Sequence, residues 1–282
     1  MNESASMPIL NELVSIYAKR GIEIATGIPP HRYANLPQIA ATWFVHSGES
    51  LTVGLGVSLQ EIYFLECLFG KFEPRSCFII GNSWGWSTFA LALLNPSAKV
   101  VAIDSAVGPQ FLEGLNFTNQ VAHEHGLNVK AIQASSPEDV PRVMRHEFEG
   151  PVEFVFIDGQ HTNDQLSRDF DAVLPFASHE TVFLFHDVLD WGLLDGLKHA
   201  SGTAAMPYHL LDGTTSGMGI IFDEAHRPNV ADAIAPFIVS ASVKRVLNDE
   251  VYRKTHRRSV RLRRSIAKRL PKALGAYLIP RR

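Results

Sequence analysis

Residues 78–88 read Phe78-Ile79-Ile80-Gly81-Asn82-Ser83-Trp84-Gly85-Trp86-Ser87-Thr88, and residues 100–104 read Val100-Val101-Ala102-Ile103-Asp104. The first stretch is a short apolar run that ends in a turn with two glycines and leads at once into a helical pattern. The second is an apolar run that ends in an acid, 19 residues after Gly85. This spacing predicts a nucleotide-type cofactor site at the first crevice of an open parallel sheet. Glycines let the backbone approach a ligand, a helix N-terminus offers it free N–H groups, and the Asp104 carboxylate can accept hydrogen bonds from ribose hydroxyls.

The pattern around this stretch predicts a doubly wound α/β fold. Strand-like runs at 77–80, 100–103, 129–132, 152–157 and 182–185 alternate with helical patterns at 87–94, 110–125, 138–148 and 165–174. Such alternation is typical of βαβ units in a parallel sheet. Two further runs, 208–211 and 218–222, flank a Gly-containing connection and predict an antiparallel hairpin. We therefore expect a Rossmann-like sheet of seven strands, five parallel and two in a terminal hairpin.

Composition and charge divide the chain into three regions. Its 282 residues are 46% hydrophobic and 20% charged, which is ordinary for a globular protein, and no apolar run is long enough for a transmembrane helix. Residues 251–282 hold 12 of the 26 Lys and Arg and none of the 29 Asp and Glu. We expect a helical cap over residues 1–57, the α/β domain over 58–250 and a basic tail over 251–282. Within the α/β domain, Ser58 and Glu61 form a capping-box pattern that predicts a helix start.

Acidic residues and histidines follow two neighbouring strands. Asp158 and His161 come directly after the fourth predicted strand, and His186 and Asp187 follow the fifth. Adjacent strand ends should bring the two aspartates together, where they repel each other unless a cation or a proton lies between them. The pattern thus predicts a site for Mg²⁺ or a similar divalent ion, with His186 either a third ligand or a packed core histidine. His161 is a candidate general base, and an exposed loop histidine is the alternative.

The glycine turn also fits a different enzyme class. Gly81-Asn82-Ser83-Trp84-Gly85 matches the G-x-S-x-G elbow of α/β-hydrolases, in which Ser83 would be the nucleophile. Asp158 or Asp187 and then His209 would complete a triad in the right chain order. Against this alternative, no convincing series of strands precedes the motif. Ser135 and Ser136 follow the third strand, where an adenine ring would lie, but they also suit helix caps.

The basic tail leaves a third alternative open. Leu262, Ile266, Leu270 and Leu274 recur every four residues among Arg and Lys. This spacing indicates a basic amphipathic helix that could dock a non-catalytic binding module on an anionic membrane surface. A solvated chain end that balances the acidic body is the plainer interpretation, and no specific nucleic-acid partner is expected.

Taken together, these motifs resemble the class I S-adenosylmethionine-dependent methyltransferases, and among them the metal-dependent O-methyltransferases of sugars and antibiotic precursors. The resemblance covers residues 58–222 and depends on the glycine turn, Asp104, Ile157-Asp158-Gly159-x-His161, Asp169, His186-Asp187 and Ser216-Gly217-Met218-Gly219. Two positions depart from the family pattern: Ile79 stands where an acid is common, and His186 stands where Glu or Asp is common.

The resemblance implies a role for each matching residue. Cofactor contacts would come from Gly81, Asn82, Ser83, Gly85, Ser87, Thr88, Asp104, Ser135, Ser136 and Asp158. Metal ligands would be Asp158, Asp187 and His186, and His161 would be the general base. The acceptor would be a hydroxyl of a small molecule or glycan. The two cysteines, Cys67 and Cys77, are interpreted as reduced thiols, which predicts a cytoplasmic protein. The protein would be peripheral at a membrane if the tail binds one, and the sequence leaves open whether it forms a homo-oligomer.

Overall fold

The N-terminal region contains a helix and a small antiparallel sheet. The computed structural model describes residues 9–27 and 41–252, and for residues 53–55 it describes the backbone alone. Helix α1 (Ile9–Ala18) is followed by strands β1 (Ile22–Ala25), β2 (Thr42–His46) and β3 (Glu49–Gly56), which pair in the order β1-β2-β3. The prediction of a helical cap over residues 1–57 is therefore wrong for 22–25 and 42–56. Ser47 and Gly48 both have positive φ, as the two-residue turn of a tight hairpin requires, and that turn signal was missed.

The second helix begins at the predicted capping box. Ser58 accepts a hydrogen bond from the backbone N–H of Glu61, and the Glu61 carboxylate accepts one from the backbone N–H of Ser58 (2.8 Å). Helix α2 then runs over Leu59–Phe69. Its packing buries Ile62, Leu65 and Leu68 in the core, so the helix is fixed at both its cap and its apolar face.

The main sheet has the seven strands expected from the sequence. They are β4 (Ser76–Ile80), β5 (Lys99–Asp104), β6 (Val129–Gln133), β7 (Phe154–Ile157), β8 (Val182–Phe185), β9 (Tyr208–Leu211) and β10 (Met218–Ile221), in the order β6-β5-β4-β7-β8-β10-β9. Strands β4 to β8 are parallel, and β10 pairs antiparallel with both β8 and β9. The fold class predicted from the alternation of strands and helices is confirmed.

Helices connect the strands and cover the sheet. They are α3 (Trp86–Leu94), α4 (Pro109–His125), α5 (Val140–Glu147), α6 (Asn163–Val173), α7 (Leu194–Ala204) and α8 (Pro228–Ile234). Along β4, Cys77 and Ile79 pack into one apolar cluster while Phe78 and Ile80 pack into the other. Both faces of the sheet are therefore buried, which explains why its strands are continuously apolar. The chain passes from β4 outward to β5 and β6 and then returns to β7, so the strand order reverses between β4 and β7.

The chain divides into two compact units, 1–238 and 239–282. In the second unit, residues 241–252 are helical. The tail predicted over 251–282 lies outside the described residues from 253 onward, and so does its amphipathic pattern. No helix among the described residues is long and apolar enough to cross a membrane.

Candidate active site

A cavity of about 700 Å³ lies in the first unit at the carboxyl ends of the strands, where the strand order reverses. Open α/β sheets bind their ligands at this position. Most of the site residues predicted from the sequence line the cavity: Gly81, Asn82, Ser83, Ser87, Asp104, Ser135, Ser136, Asp158, His161, His186 and Asp187. Gly85 and Thr88 do not line it. Thr88 is buried and donates a hydrogen bond to the Asn82 side chain (2.9 Å), so its role is to support the turn.

The glycine turn forms one wall of the cavity and tolerates no side chain at its first position. Gly81 has φ +103°, and a Cβ built there would lie 2.0 Å from the backbone oxygen of Asp158. Gly85 has φ +80° and is the N-cap of α3, where no side chain caps the helix. The first N–H groups of α3 therefore lack side-chain partners, as a helix N-terminus that receives a ligand requires.

Asp104 faces the glycine turn, as the sequence predicts. Its Oδ2 accepts hydrogen bonds from the backbone N–H groups of Asn82 (3.1 Å) and Ser83 (2.8 Å), and its Oδ1 accepts one from Ala106 (2.8 Å). A carboxylate offers about four lone-pair directions, so three are used to hold the turn and about one is left for a ligand. Asp104 is thus first a support of the turn.

Two aspartates and two histidines meet on a second wall, at the ends of β7 and β8. The Nε2 atom of His161 lies 3.4 Å from Asp158 Oδ1 and 3.3 Å from Asp187 Oδ2, and ligand atoms of these three residues lie within 4.8 Å of one another. The Nδ1 atom of His186 lies 3.2 and 3.4 Å from the same two carboxylate oxygens. Adjacent strand ends therefore bring the aspartates together as predicted, with one imidazole nearer the solvent and one buried.

The structure adds Glu61, which sequence reasoning placed only in a helix cap. This buried carboxylate accepts hydrogen bonds from the backbone N–H (2.9 Å) and hydroxyl (2.5 Å) of Ser216 and lies 3.2 Å from His186 Nε2. Burial raises the pKa of Glu61, but the charge and hydrogen bond of His186 outweigh it and lower the pKa to about 2. The sequence carries no signal for this contact, because Glu61 and His186 are 125 residues apart.

Charge coupling shifts the pKa values of the cluster in opposite directions. Burial alone raises the pKa of Asp158, but His186 and His161 outweigh it and hold the pKa below its usual range. Burial lowers the pKa of His186, yet Asp158 and Glu61 raise it well above its ordinary value, and Asp158 likewise raises the pKa of His161. Asp158 and Glu61 thus stay ionised and need positive charge beside them, from the imidazoles or from a cation.

Residues 79–188 match the family model described as a methyltransferase domain. Over these residues the chain is similar to methyltransferase domains. The match begins in β4 and ends after β8, so it includes the glycine turn, Asp104, Asp158 and Asp187. The class predicted from the sequence, a class I S-adenosylmethionine-dependent methyltransferase, is confirmed.

Solved structures of similar proteins include an O-methyltransferase from Bacillus cereus in complex with SAH, which is 18% identical over 78% of this chain and 93% of its own, with a TM-score of 0.49. Another is the O-methyltransferase TomG from Streptomyces achromogenes, involved in tomaymycin synthesis, which is 16% identical over 78% of this chain and 92% of its own, with a TM-score of 0.48. No curated protein matches this chain.

The described residues give no support to the hydrolase alternative. In the described part of the chain, the Ser83 hydroxyl is buried and has no hydrogen-bond partner. His209 lies on β9, outside the cavity lining, with its Nε2 atom 3.0 Å from Glu224. Without a base beside it, Ser83 cannot be activated as a nucleophile. The G-x-S-x-G match therefore belongs to the glycine turn of the methyltransferase domain.

Ser135 and Ser136 line the cavity without capping a helix. The N-cap of α5 is Asp139, which makes no side-chain cap. The Ser136 hydroxyl donates to the buried Asp169 carboxylate on α6, and burial raises the pKa of Asp169. The interpretation of these serines as helix caps is therefore wrong, and they stay candidates for cofactor contacts.

Proposed function

We propose that the protein is an S-adenosylmethionine-dependent O-methyltransferase that methylates a hydroxyl of a small molecule or glycan with the help of a divalent cation. The observation that carries this proposal is the shared cavity: the glycine turn and Asp104 form one wall, and Asp158, Asp187 and His161 form a second wall. A donor and an acceptor bound in this one cavity would be held in register, which is a large contribution to such a transfer.

The residues on the first wall fit a nucleoside cofactor. The turn approaches the end of β7 so closely that a Cβ at Gly81 would fill the gap, and α3 offers N–H groups without side-chain partners. Asp104 has capacity left for a ribose hydroxyl after holding the turn. When bound here, S-adenosylmethionine supplies a methyl group on a positively charged sulfur.

The residues on the second wall fit a cation. Two carboxylates face each other, and His186 Nδ1 beside them is a buried atom without a hydrogen-bond partner among the described residues. When bound here, a divalent cation lowers the pKa of an acceptor hydroxyl, as it lowers that of bound water.

We assign the proton transfer to His161. Its Nε2 faces the aspartates, its side chain is 22% exposed, and its ring contacts the exposed Trp191 (5.0 Å between ring centres). His161 would therefore take the proton that the acceptor hydroxyl releases when it receives the methyl group. S-Adenosylhomocysteine and the methyl ether are the products. General-base catalysis of this kind contributes about 10²–10⁴-fold to a rate.

Calorimetric titration tests the proposal. S-Adenosylhomocysteine should bind with and without Mg²⁺, and NAD, the control nucleotide, should not bind. A panel of hydroxylated small molecules and glycans then reveals the acceptor by methyl transfer. Binding of NAD, or no binding of S-adenosylhomocysteine, would refute the assignment of the cofactor.

A further inference from the structure

His186 is buried and presents one ring nitrogen to the aspartates. Its side chain is 9% exposed, and Nδ1 lies 3.2 Å from Asp158 and 3.4 Å from Asp187 without hydrogen-bond geometry to either. The ring packs edge-on against Phe156 (5.9 Å between ring centres). Nδ1 is thus a buried polar atom directed into the carboxylate pair.

Glu61 fixes the other ring nitrogen. Its oxygens accept the backbone N–H groups of Ser58 and Ser216 and the Ser216 hydroxyl, so Glu61 acts here as an acceptor and His186 Nε2 donates to Glu61 Oε2 (3.2 Å). In the neutral ring, a proton at Nε2 leaves a lone pair at Nδ1. Carboxylates commonly orient metal-binding histidines through the second ring nitrogen in this way.

The second oxygen of Glu61 supports the neighbouring aspartate. Oε1 accepts the Ser216 hydroxyl (2.5 Å), and that hydroxyl oxygen in turn accepts the backbone N–H of Asp187 (3.4 Å). Asp187 has φ +57°, a strained conformation for a residue with a side chain, so its position needs such support. One buried carboxylate thereby holds both residues that follow β8.

We propose, on the basis of the function proposed above, that His186 Nδ1 joins Asp158 and Asp187 as a ligand of the cation, that Glu61 is the positioning residue for this ligand, and that the cation is therefore a first-row transition metal ion such as Mn²⁺ rather than Mg²⁺. Mg²⁺ prefers oxygen ligands, whereas imidazole nitrogen favours transition metals. The two histidines then have separate tasks. His186 is locked behind the carboxylates, and the partly exposed His161 stays available for the acceptor proton.

Metal binding to the full chain tests this without an activity measurement. Mn²⁺ binding is followed by the electron paramagnetic resonance of free Mn²⁺, and Mg²⁺ binding by calorimetry. We expect a dissociation constant for Mn²⁺ at least tenfold lower than that for Mg²⁺, and ¹⁴N modulation in the electron spin echo of bound Mn²⁺. Equal or tighter binding of Mg²⁺, or no ¹⁴N modulation in the wild type, would overturn the proposal without any variant.

Variants assign the nitrogen. His186→Gln should lose the ¹⁴N modulation, and His161→Gln should keep it; the reverse result would assign the ligand to His161 and overturn the proposal. Glu61→Gln leaves a single accepting oxygen, which cannot serve both His186 Nε2 and the Ser216 hydroxyl. This variant should weaken Mn²⁺ binding about 10–100-fold, as removal of an outer-shell partner does. The control is His199→Gln, which disrupts an exposed pair with Asp171 and should change nothing.

The same samples separate this inference from the proposed function. If S-adenosylhomocysteine binds and Mn²⁺ does not, the metal inference fails while the cofactor assignment stands. If S-adenosylhomocysteine does not bind, the proposed function itself fails. Thermal unfolding of each variant shows whether a loss of Mn²⁺ binding or of ¹⁴N modulation comes from loss of the fold. If a variant is unfolded, the wild-type affinities for Mn²⁺ and Mg²⁺ and the wild-type ¹⁴N modulation decide the proposal.

Discussion

Replacing Gly114 with alanine should push helix α4 away from the glycine turn and so weaken cofactor binding. Gly114 is buried on α4, and a Cβ there would lie 2.2 Å from the backbone oxygen of Ser83 and 3.4 Å from the Cα of Trp84. Carbon and carbonyl oxygen normally stay about 3.3 Å apart, so the helix and the turn must separate by about 1 Å. Because both contacting atoms are backbone, no side-chain rotation can relieve the overlap.

The magnitude follows from two opposing contributions. Overpacking costs about 1–3 kcal/mol, and alanine in a helix gains about 1 kcal/mol over glycine, so the free energy of unfolding should change by about 0 to −2 kcal/mol. If the turn yields, the Ser83 N–H moves away from Asp104, and a hydrogen bond to a charged group is worth about 1.5–3 kcal/mol. The affinity for S-adenosylhomocysteine should then fall about tenfold or more, since 1.4 kcal/mol is tenfold.

Urea unfolding and calorimetric titration measure both effects. The matched control is Gly202→Ala on α7, where a Cβ would meet nothing within 4 Å. This variant should be more stable than the wild type by about 0.5–1 kcal/mol and should bind S-adenosylhomocysteine normally. If Gly114→Ala is stabilised as much as Gly202→Ala and binds within twofold of wild type, the close approach of α4 to the turn is not a constraint.

Three further substitutions test the support of the site, the acid stability and the chemistry. Tyr17→Phe removes the buried hydrogen bond from the Tyr17 hydroxyl to the backbone oxygen of Trp84 (2.8 Å) and should cost about 1–3 kcal/mol in urea unfolding, because the oxygen stays buried. Burial raises the pKa of Glu147, but the hydrogen bonds from Lys130 and neighbouring groups outweigh the effect of burial and lower the pKa to about 2. In the unfolded chain the Glu147 carboxylate takes up a proton at about pH 4.3, well above its pKa in the folded protein. The free energy of unfolding should therefore fall from about pH 5 toward pH 2, and it should fall less in Glu147→Gln. His161→Ala should lower kcat about a hundredfold or more in a methyl-transfer assay and leave S-adenosylhomocysteine binding intact.

Each of these has a matched control and a contradicting outcome. Tyr208→Phe on the edge strand β9 should leave stability unchanged, and an equal loss in both tyrosine variants would remove the special role of Tyr17. Glu149→Gln at an exposed position should keep the wild-type dependence of the free energy of unfolding on pH. An equally reduced dependence in this variant would show that the acid sensitivity comes from the net charge of the protein and not from Glu147. His199→Ala should keep full activity, and an unchanged kcat in His161→Ala would exclude His161 as the base.

The main sheet was predictable because its signals are local. Each parallel strand is a short apolar run and each helix has its own period, so β4 to β8 all begin and end within two residues of the predicted bounds. The N-terminal sheet was missed for the same reason. Its strand β2 alternates weakly between Thr42 and His46, and the Ser47-Gly48 turn carries less signal than an Asn-Gly pair.

The site was predictable to the extent that it follows strand ends. Asp104, Asp158 and Asp187 lie at or within two residues of the ends of parallel strands. Because the carboxyl ends of these strands share one edge, their meeting needed no knowledge of packing. Two assignments needed packing. Ser83 resembled a nucleophile until its surroundings showed no base, and Gly85 and Thr88 turned out to support the turn behind the cavity wall.

The amino-acid sequence by itself determined the order of strands and helices, the glycine turn and the set of acids at the sheet edge, because each depends on residues close together along the chain. Only the tertiary structure decided that Glu61 reaches His186 across 125 residues, and that Gly114 must be small to let α4 lie against the turn. Those contacts depend on how α2 and α4 pack against the sheet, and packing between distant segments leaves no periodic trace in the sequence.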